Sequence, residues 1–330
     1  MSSRTLLDQN QSWAPRRCFP LVEVPLLVGF LFPGQGSQSP AMFSRLPQEP
    51  AVRETFEEAT TILGYEVSWL TTTEAQRRFE YSQLALLLAG VASARLLFAR
   101  GLKPDFLAGH SAGAFAGATI AGVTSLAEAL RLIQFRGRAM QAACPSGYGM
   151  AAITGLSQSV CNELIDELRA AGESVYAASL NAPDQVSISG SQAGLNRVLS
   201  LAQKRGARKA VHLDIAVPSH TPLMHGVAEQ MSIEIRKLSP RNATIPCMSN
   251  RAARSLVNGT EILQDLAYSV EEPVRWHDIT GALYEAGVRF FAEMHPGEVL
   301  TRLATAAFPE ARCLSLERAG PDSVIAAIRL

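Results

Sequence analysis

The stretch FLAGHSAG (106–113) places a serine between two glycines in the pattern GxSxG. FLAG ends an apolar, strand-like run, and the small residues AGAFAGATIAGV (112–123) favour a helix. A chain that turns sharply from strand to helix needs residues without side chains beside the turn. We therefore predict a strand, a tight turn with Ser111 at its apex, and a helix, which is the local unit of an α/β sheet. The same pattern also fits a plain turn between two packed elements.

An α/β organisation extends to both sides of this turn. The apolar run VPLLVGFLFPGQGSQ (24–38) is typical of a buried parallel strand that ends in a glycine-rich loop. From about 149 to 217 the patterns follow the order strand, helix, strand, strand, helix, strand, with the last strand expected over 207–220. That order is ferredoxin-like. We predict a large α/β domain formed by 26–148 and 218–330, with a small domain inserted at 149–217.

The composition limits the class of protein. Of 330 residues, 47% are hydrophobic and 18% charged, which is typical of a globular chain. Lys plus Arg and Asp plus Glu number 30 each, so no net charge favours nucleic acid or a membrane surface as a partner. The five cysteines contain no CxxC pair, which argues against a zinc site or disulfides and for a reducing cytoplasm. Glu23 and Pro25 interrupt the apolar run after Arg17, so we expect 1–25 to be a loose leader and not a signal sequence.

A serine nucleophile needs a base within hydrogen-bond reach. The sequence offers six histidines: His110, His212, His220, His225, His277 and His295. His220 is the best placed, because it ends a predicted strand in a loop stiffened by Pro218 and Pro222, at the sheet edge where Ser111 should emerge. His110 is next to Ser111 but should point away from it, and His225 is a weaker alternative.

Acyl transfer also needs N–H donors for the oxyanion that forms on the attacked carbonyl. The loop FPGQGSQ (32–38) offers such donors, and the amide of Gln35 could pair with that of Ala112, the residue after the serine. A plain turn after a strand is the alternative. The loop lacks the lysine of a P-loop and the spacing of a dinucleotide-binding motif, so no nucleotide cofactor is indicated. No metal site is indicated either.

An arginine interrupts the apolar helical stretch IQFRGRAMQ (133–141). Arg131, Arg136 and Arg138 cannot all share one face at 3.6 residues per turn, so at least one should point inward. An inward arginine requires an anion. Either an internal carboxylate pairs with it, or it presents a bidentate fork to a substrate carboxylate.

Seven motifs occur together in one order. They are FPGQGSQ, GHSAG, RGRAMQ, NAPDQVSISG, VPSHTPLM, EEPVRW and HPGEVLTRL, and they span roughly 30–305. In this respect the chain resembles the malonyl-CoA:acyl carrier protein transacylases. The resemblance implies an α/β-hydrolase-like large domain with a parallel sheet and an inserted ferredoxin-like domain.

The same resemblance implies the site and the reaction. Ser111 would be the nucleophile and His220 its base, the amides of Gln35 and Ala112 would form the oxyanion hole, and Arg136 would hold the malonyl carboxylate. We place His110 with Arg136 among the substrate-binding residues. The substrate would be malonyl-CoA, the acceptor a phosphopantetheine-type thiol on an acyl carrier protein, and no cofactor would be bound. The transfer would be ping-pong through a malonyl-serine ester.

Some positions depart from the family pattern. The turn has GHSAGA where the family has GHSLGE, and HPGEVL stands where GPGxVL is usual. Ser269 occupies the position of a Gln or Asn that orients the histidine, so a backbone carbonyl is expected to orient His220 instead. GHSAGAFAGA with PSGYGMAAITGL most resembles the transacylase (epsilon) subunit of bacterial malonate decarboxylase, which acts on a small carrier subunit. The transacylase of fatty-acid synthesis is the alternative.

Two functions of other classes also fit parts of the sequence. A serine esterase or thioesterase uses the same GxSxG, and Asp184 and Asp214 lie between serine and histidine in the order such enzymes use. A carrier-binding module without catalysis would leave Ser111 unacylated. For docking an acidic carrier, KRGARK (204–209) is a candidate surface, although an ordinary solvated helix end has the same composition.

Overall fold

The computed structural model describes residues 26–144 and 146–328. The predicted leader, 1–25, and Cys18 within it lie outside the described residues. The described strands form one sheet of six and one of four. In chain order they are β1 (Leu27–Phe32), β2 (Phe106–Gly109), β3 (Tyr148–Thr154), β4 (Val175–Ala182), β5 (Gln185–Ser191), β6 (Lys209–Leu213), β7 (Cys247–Met248), β8 (Ser255–Leu256), β9 (Val288–Glu293) and β10 (Arg312–Ser315).

Helices cover both faces of the larger sheet and one face of the smaller. They are α1 (Pro50–Leu63), α2 (Thr73–Gln76), α3 (Phe79–Ala99), α4 (Gly113–Ile120), α5 (Leu126–Ala143), α6 (Gln158–Ala170), α7 (Gln192–Lys204), α8 (His225–Ile235), α9 (Gly259–Tyr268), α10 (Trp276–Glu285), α11 (Val299–Ala307) and α12 (Leu316–Ala326), with 3₁₀ turns at Val67–Thr71 and Pro222–Met224. Helix α12 is kinked at Gly320, which precedes Pro321.

The larger sheet has the order β10-β9-β1-β2-β7-β8, and all its strands are parallel except β8. Strand β1, LVGFLF, is apolar along its whole length and buried beyond its first residue, as expected for a central parallel strand covered on both faces. The carboxyl ends of β1 and β2 therefore meet at one edge. The loops that follow them, with Gln35 and Ser111, lie side by side there.

Helix α3 is the central helix of this domain. It is long and apolar enough to cross a membrane by length and composition alone, but 83% of that stretch is buried inside the protein. Apolar residues around its whole circumference contact the other core helices and the sheet. It is a core helix, and Gln83 near its first turn is one of its few polar residues.

The smaller sheet has the antiparallel order β4-β5-β3-β6, and α6 and α7 enclose a separate core against it. The two sheets confirm the predicted α/β class with a ferredoxin-like unit. The expected last strand, 207–220, is shorter: β6 ends at Leu213, beside the start of β3, and Pro218 has no N–H for a ladder. The remaining residues form a loop that carries His220 toward the larger sheet. The domain boundaries at 148/149 and 217/218 stay a prediction.

A short bridge joins the smaller sheet to the larger domain. The amide of Leu180 in β4 donates to the carbonyl of Val274 at 2.8 Å, and the amide of Val274 donates to Ala178 at 2.9 Å. Val274 immediately precedes Arg275 and α10 of the larger domain. The bridge fixes the smaller sheet over the carboxyl edge of the larger one, and the space between them is the cleft described below.

Candidate active site

Ser111 stands at the apex of the turn between β2 and α4, in the left-handed backbone region with φ of 53°. The turn packs directly on the end of β1. A Cβ added to Gly113 would lie 2.2 Å from the carbonyl oxygen of Phe32, and one added to Gly34 would lie 2.5 Å from the carbonyl oxygen of His110. Glycine is therefore required at both positions. Because it has no side chain, the 32–38 loop and the turn can pack in direct contact.

His220 reaches Ser111 from the loop after β6. Its Nε2 is 2.7 Å from the Ser111 Oγ, although the two residues are far apart in the chain. His220 also has a left-handed backbone, with φ of 64°, and its amide donates to the carbonyl of Val270 at 2.7 Å. The side chain is almost fully buried. The structure thus brings together the serine and the histidine that the sequence indicated.

A backbone carbonyl orients His220. Its Nδ1 is 2.6 Å from the carbonyl oxygen of Ser269 and 3.3 Å from that of Glu272. Carbonyl oxygens only accept, so Nδ1 carries the proton and Nε2 presents its lone pair to Ser111. The Ser269 hydroxyl instead donates to the carbonyl of Leu266, and the Glu272 carboxylate pairs with Arg251. Ser269 therefore contributes its backbone and not its side chain.

Burial keeps His220 neutral. Burial, together with the charge of Arg136, lowers the pKa of the imidazole to about 3. A neutral imidazole can accept the serine proton at any pH at which the protein is ordinarily handled.

Arg136 is the inward arginine among the three of α5. Only 1% of its surface is exposed. Its Nη1 donates to Gln83 Oε1 at 2.7 Å and its Nη2 to the Ser111 Oγ at 3.1 Å. Arg138 pairs with Glu80, and Arg131 Nε donates to the carbonyl of Ala127 one turn earlier in its own helix. Among the described residues no carboxylate forms a salt bridge with Arg136, and burial lowers its pKa to about 10.

The loop and turn present two free amides. Gln35 and Ala112 line the same cleft as Ser111. Within the described ranges, no protein acceptor takes a hydrogen bond from the backbone amide of either residue. The Oε1 of Gln35 is also buried without a partner in that part of the chain. Two unpaired amides beside a serine can donate to an oxyanion.

His110 faces the cleft but does not contact the Ser111 hydroxyl. Its Nε2 is 3.1 Å from Asn181 Oδ1, and its ring lies 5.3 Å from that of Trp276. Burial lowers the pKa of His110, so it too is neutral at neutral pH. Asn181 comes from β4 of the smaller sheet, so this contact links both walls of the cleft.

Sequence reasoning missed Asn250, which braces the turn. Asn250 Oδ1 accepts from the amide of Ser111 at 2.8 Å, and its Nδ2 donates to the carbonyl of Gly109 at 2.8 Å. Its own amide donates to Asp265 at 2.9 Å. Asn250 therefore ties both arms of the turn to β7 and α9. No motif identified it, because it follows a two-residue strand in a stretch without periodicity.

The cleft between the sheets has a volume of about 460 Å³. The smaller sheet contributes Met150, Ala152, Ser179, Asn181 and Ser187, and α11 contributes Val299 and Leu300 at the opposite side. The other histidines lie elsewhere: His212 contacts Asn196, His225 pairs with Glu271, His277 lies on α10, and His295 is buried near Glu317. Cys144, Cys161, Cys247 and Cys313 are free thiols. From 26 to 144 and 146 to 328, no cluster of His, Cys, Asp and Glu is suited to a metal ion.

The chemistry of the cleft is that of acyl transfer. A serine in contact with a neutral base, next to free amide donors, can attack a carbonyl carbon and stabilise the oxyanion that results. A buried guanidinium beside the same serine can bind a carboxylate carried by the acyl group.

Comparison with known proteins agrees with this chemistry. Residues 29–322 match the acyl transferase domain family. The malonyl CoA-acyl carrier protein transacylase of Haemophilus influenzae is 37% identical over 282 residues, which are 83% of this chain and 89% of that protein. The protein of the same name from Bacillus subtilis (strain 168) is 34% identical over 281 residues, covering 84% of this chain and 89% of that one.

Solved structures show the same fold. The malonyl CoA-acyl carrier protein transacylase of Coxiella burnetii superimposes with a TM-score of 0.87 at 34% identity, over 92% of this chain and 98% of that chain. A malonyl-transacylase solved with its type II PKS acyl-carrier protein superimposes with a TM-score of 0.86 at 31% identity, over 92% and 99% of the two chains. With its sequence, fold and cleft in agreement, the chain belongs to the malonyl CoA-acyl carrier protein transacylase family of acyl transferases.

Proposed function

We propose that the protein transfers a malonyl group from malonyl-CoA to the thiol of an acyl carrier protein, through a malonyl ester on Ser111. One observation carries the proposal: Arg136 is a buried cation that pairs with no carboxylate among the residues that the structure describes. Its Nη2 lies 3.1 Å from Ser111 Oγ, the oxygen that would attack. A malonyl thioester carries a carboxylate one carbon beyond the carbonyl that is attacked. A carboxylate on Arg136 therefore places that carbonyl at Ser111.

The first half-reaction acylates the serine. Ser111 Oγ attacks the thioester carbonyl carbon while its proton passes to His220 Nε2. The amides of Gln35 and Ala112 donate to the oxyanion of the tetrahedral intermediate. The intermediate then collapses, the carbon–sulfur bond breaks, and the coenzyme A sulfur leaves with the proton from His220.

The second half-reaction reverses these steps with another thiol. The carrier thiol gives its proton to His220, its sulfur attacks the ester carbonyl, and the carbon–oxygen bond breaks as Ser111 Oγ recovers the proton. Transfer outruns hydrolysis if the thiol arm fills the cleft and excludes water. Arg136 assists by holding the malonyl group in one orientation. This distinguishes the proposed transferase from an esterase, which has no use for a buried cation.

A basic surface near the cleft is our candidate for carrier docking. Lys204, Arg205 and Lys209 are exposed at the end of α7 and the start of β6. Arg208 pairs with Asp184 at 2.9 Å, and the next residue, Gln185, lines the cleft. An acidic carrier that docks on this surface would therefore stand beside the cleft entrance.

The acceptor that we propose is the carrier subunit of malonate decarboxylase. The turn sequence GHSAGAFAGA favours the carrier subunit of malonate decarboxylase over the carrier of fatty-acid synthesis. Rates of malonyl transfer to the two purified carriers, measured at equal concentration, would distinguish them. We place the reaction in the cytoplasm, where coenzyme A thioesters and free thiols such as Cys144 are stable.

Intact-mass analysis after mixing with malonyl-CoA or acetyl-CoA tests the proposal. We expect a malonyl adduct on the wild-type protein and none on Ser111→Ala. In Arg136→Ala the malonyl adduct should form about a hundredfold more slowly, whereas the acetyl adduct should still form, because only malonyl uses the guanidinium. If no adduct forms, the protein is a binding module without catalysis. If the adduct is lost to water as fast as it forms, the protein is a hydrolase.

A further inference from the structure

The hydroxyl of Ser111 is shared between two partners in the empty cleft. His220 Nε2 lies 2.7 Å from Oγ on one side, and Arg136 Nη2 donates to the same oxygen at 3.1 Å on the other. A serine hydroxyl has one proton and two lone pairs. The proton points to His220, so the bond from Arg136 occupies a lone pair on the oxygen that must attack. A charge-assisted donor on that lone pair opposes the attack.

The polar groups around the guanidinium lack acceptors. Arg136 Nε and Gln83 Nε2 are both buried without a hydrogen-bond partner among the described residues. Gln83 is 1% exposed, and its Oε1 already accepts from Arg136 Nη1. The side of the guanidinium formed by Nε and Nη2 is the fork that binds a carboxylate with two parallel bonds. One member of that fork is unused, and the other is engaged with Ser111.

We infer that a carboxylate bound on the Nε–Nη2 fork of Arg136 withdraws Nη2 from Ser111, so that the carboxylate of the substrate activates the nucleophile as well as anchoring the acyl group. The inference rests on the malonyl transfer proposed above. A small free carboxylate is therefore a ligand of this site in its own right. Bound next to an acyl-CoA that has no carboxylate, it should speed the acylation of Ser111.

The electrostatics of the site act in the same direction. The charge of Arg136 adds to burial in lowering the pKa of His220, which weakens His220 as a base. A bound carboxylate neutralises that charge, so the pKa of His220 rises toward its ordinary range and proton transfer from Ser111 becomes easier. The ring face of Phe115, 5.9 Å from the guanidinium carbon, offers the cation no acceptor oxygen that could replace a carboxylate.

Formate is the probe of choice, because acetyl and formate together contain the same heavy atoms as a malonyl group. Ser111 and Arg136 both line the cleft of about 460 Å³ in which the two would bind. Formate in the position of the malonyl carboxylate meets the same fork and leaves the acetyl carbonyl at Ser111. With malonyl-CoA as substrate, formate competes for the fork and should inhibit.

The experiment measures the rate of Ser111 acetylation by acetyl-CoA against sodium formate concentration, with sodium chloride at equal ionic strength as the control. We expect a saturable increase of about tenfold, the order of effect of one charge-assisted hydrogen bond on the attacking oxygen. Arg136→Leu should acetylate faster than wild type without formate and should not respond to it. A formate effect that is absent, inhibitory or equal in Arg136→Leu would overturn the inference.

A second measurement needs no variant. Phenylmethylsulfonyl fluoride is a neutral reagent that reacts with activated serines, so its rate of inactivating the wild-type protein should also rise with formate and not with chloride. A flat rate with formate would overturn the inference even if Arg136→Leu does not fold. The malonyl-CoA adduct separates the two proposals: without it the proposed function fails, whereas with it and without formate activation only the present inference fails.

Discussion

The turn around Ser111 and the pocket around Arg136 are in hydrogen-bond contact, yet they differ in how completely their polar groups are paired. At the turn, the amide of Ser111, the carbonyl of Gly109 and the amide of Asn250 all have protein partners. At Arg136, no residue that the structure describes accepts a hydrogen bond from Nε, and none pairs a carboxylate with the guanidinium charge. Apart from the Ala112 amide, which is free to donate to an oxyanion, the turn is complete without substrate. The pocket becomes complete only when an anion enters it.

This difference separates two tasks. A nucleophile must be held rigidly, because a small displacement of the attacking oxygen costs much of the rate. A specificity pocket gains selectivity when its buried donors remain unpaired with the wrong ligand, because that ligand then bears the cost of leaving them unsatisfied. Substitutions in the two regions should therefore affect different kinetic constants.

The largest effect is expected at His220, which belongs to the complete region. His220→Gln removes the base and should lower the rate of serine acylation by about 10⁴-fold, with the KM for malonyl-CoA little changed. The measurement is single-turnover acylation followed by mass. His212→Gln is the matched control, since His212 is exposed and its side chain hydrogen-bonds to Asn196, away from the cleft. Equal losses in both variants would show that the effect is not chemical.

Asn250 tests whether the brace matters as much as the chemistry. Asn250→Ala leaves the amide of Ser111 and the carbonyl of Gly109 unpaired, which should cost about 2–3 kcal/mol of unfolding free energy. We expect kcat to fall about a hundredfold while the KM for malonyl-CoA stays within about twofold, since Arg136 is untouched.

Asn258→Ala is the matched control for Asn250. Asn258 caps α9 through a bond to the amide of Glu261 at 3.1 Å, so its loss should cost about 1 kcal/mol of stability without changing kcat. If Asn258→Ala and Asn250→Ala lose kcat equally, Asn250 acts through general stability and the brace has no special role.

Gln83 tests the incomplete region. Gln83→Leu removes the acceptor that fixes Arg136 Nη1 and should raise the KM for malonyl-CoA about tenfold, with a smaller effect on kcat. Gln83→Glu should be worse for malonyl-CoA, because a carboxylate there pairs with Arg136 and repels that of the substrate. Acetyl transfer is the internal control and should not fall in either variant. A parallel loss of acetyl transfer would mean that Gln83 supports the turn instead.

The sequence predicted the complete region better than the incomplete one, for a physical reason. The turn is local: its glycines, its strand and its helix lie within a few residues, and each is restricted by sterics. His220 was selected because a strand over 207–220 was expected to end at the edge where Ser111 emerges. That strand ends at Leu213 in the smaller sheet, and the loop after it brings His220 to Ser111. Asn250 meets Ser111 only after folding, and nothing in its own neighbourhood reflects that contact.

The surroundings of Arg136 were partly predictable. Helical spacing shows that one of three arginines must face inward, but spacing does not show what that arginine meets. Its partner Gln83 lies on another helix within an apolar stretch, where a polar residue gives no sign of its role. The sequence likewise does not show which carbonyl orients His220, because every residue has a backbone carbonyl. Its use could be anticipated only from the shortness of the Ser269 side chain.

The smallest effect is expected from pH, and it tests the burial of His220. An exposed histidine with a pKa near 6.5 would lose about thirtyfold of its basic form between pH 8 and pH 5. Burial and the Arg136 charge lower the pKa of His220 to about 3, so its neutral form persists across that range. We therefore expect kcat/KM for acylation by malonyl-CoA to change by less than about twofold from pH 8 to pH 5.

The same lowered pKa predicts the sign for stability. Unfolded His220 binds a proton below its ordinary pKa of about 6.5 and the folded residue does not, so the unfolding free energy falls as pH drops from there toward 3. Denaturant unfolding at pH 5 must therefore accompany the kinetics, to keep partial unfolding from being taken for titration. If kcat/KM instead fell below about pH 6.5 while the protein stayed folded, His220 would titrate as a histidine in contact with water. That result would contradict its burial. A flat profile would mean that His220 is already neutral before substrate binds and that discrimination between acyl groups is left to Arg136.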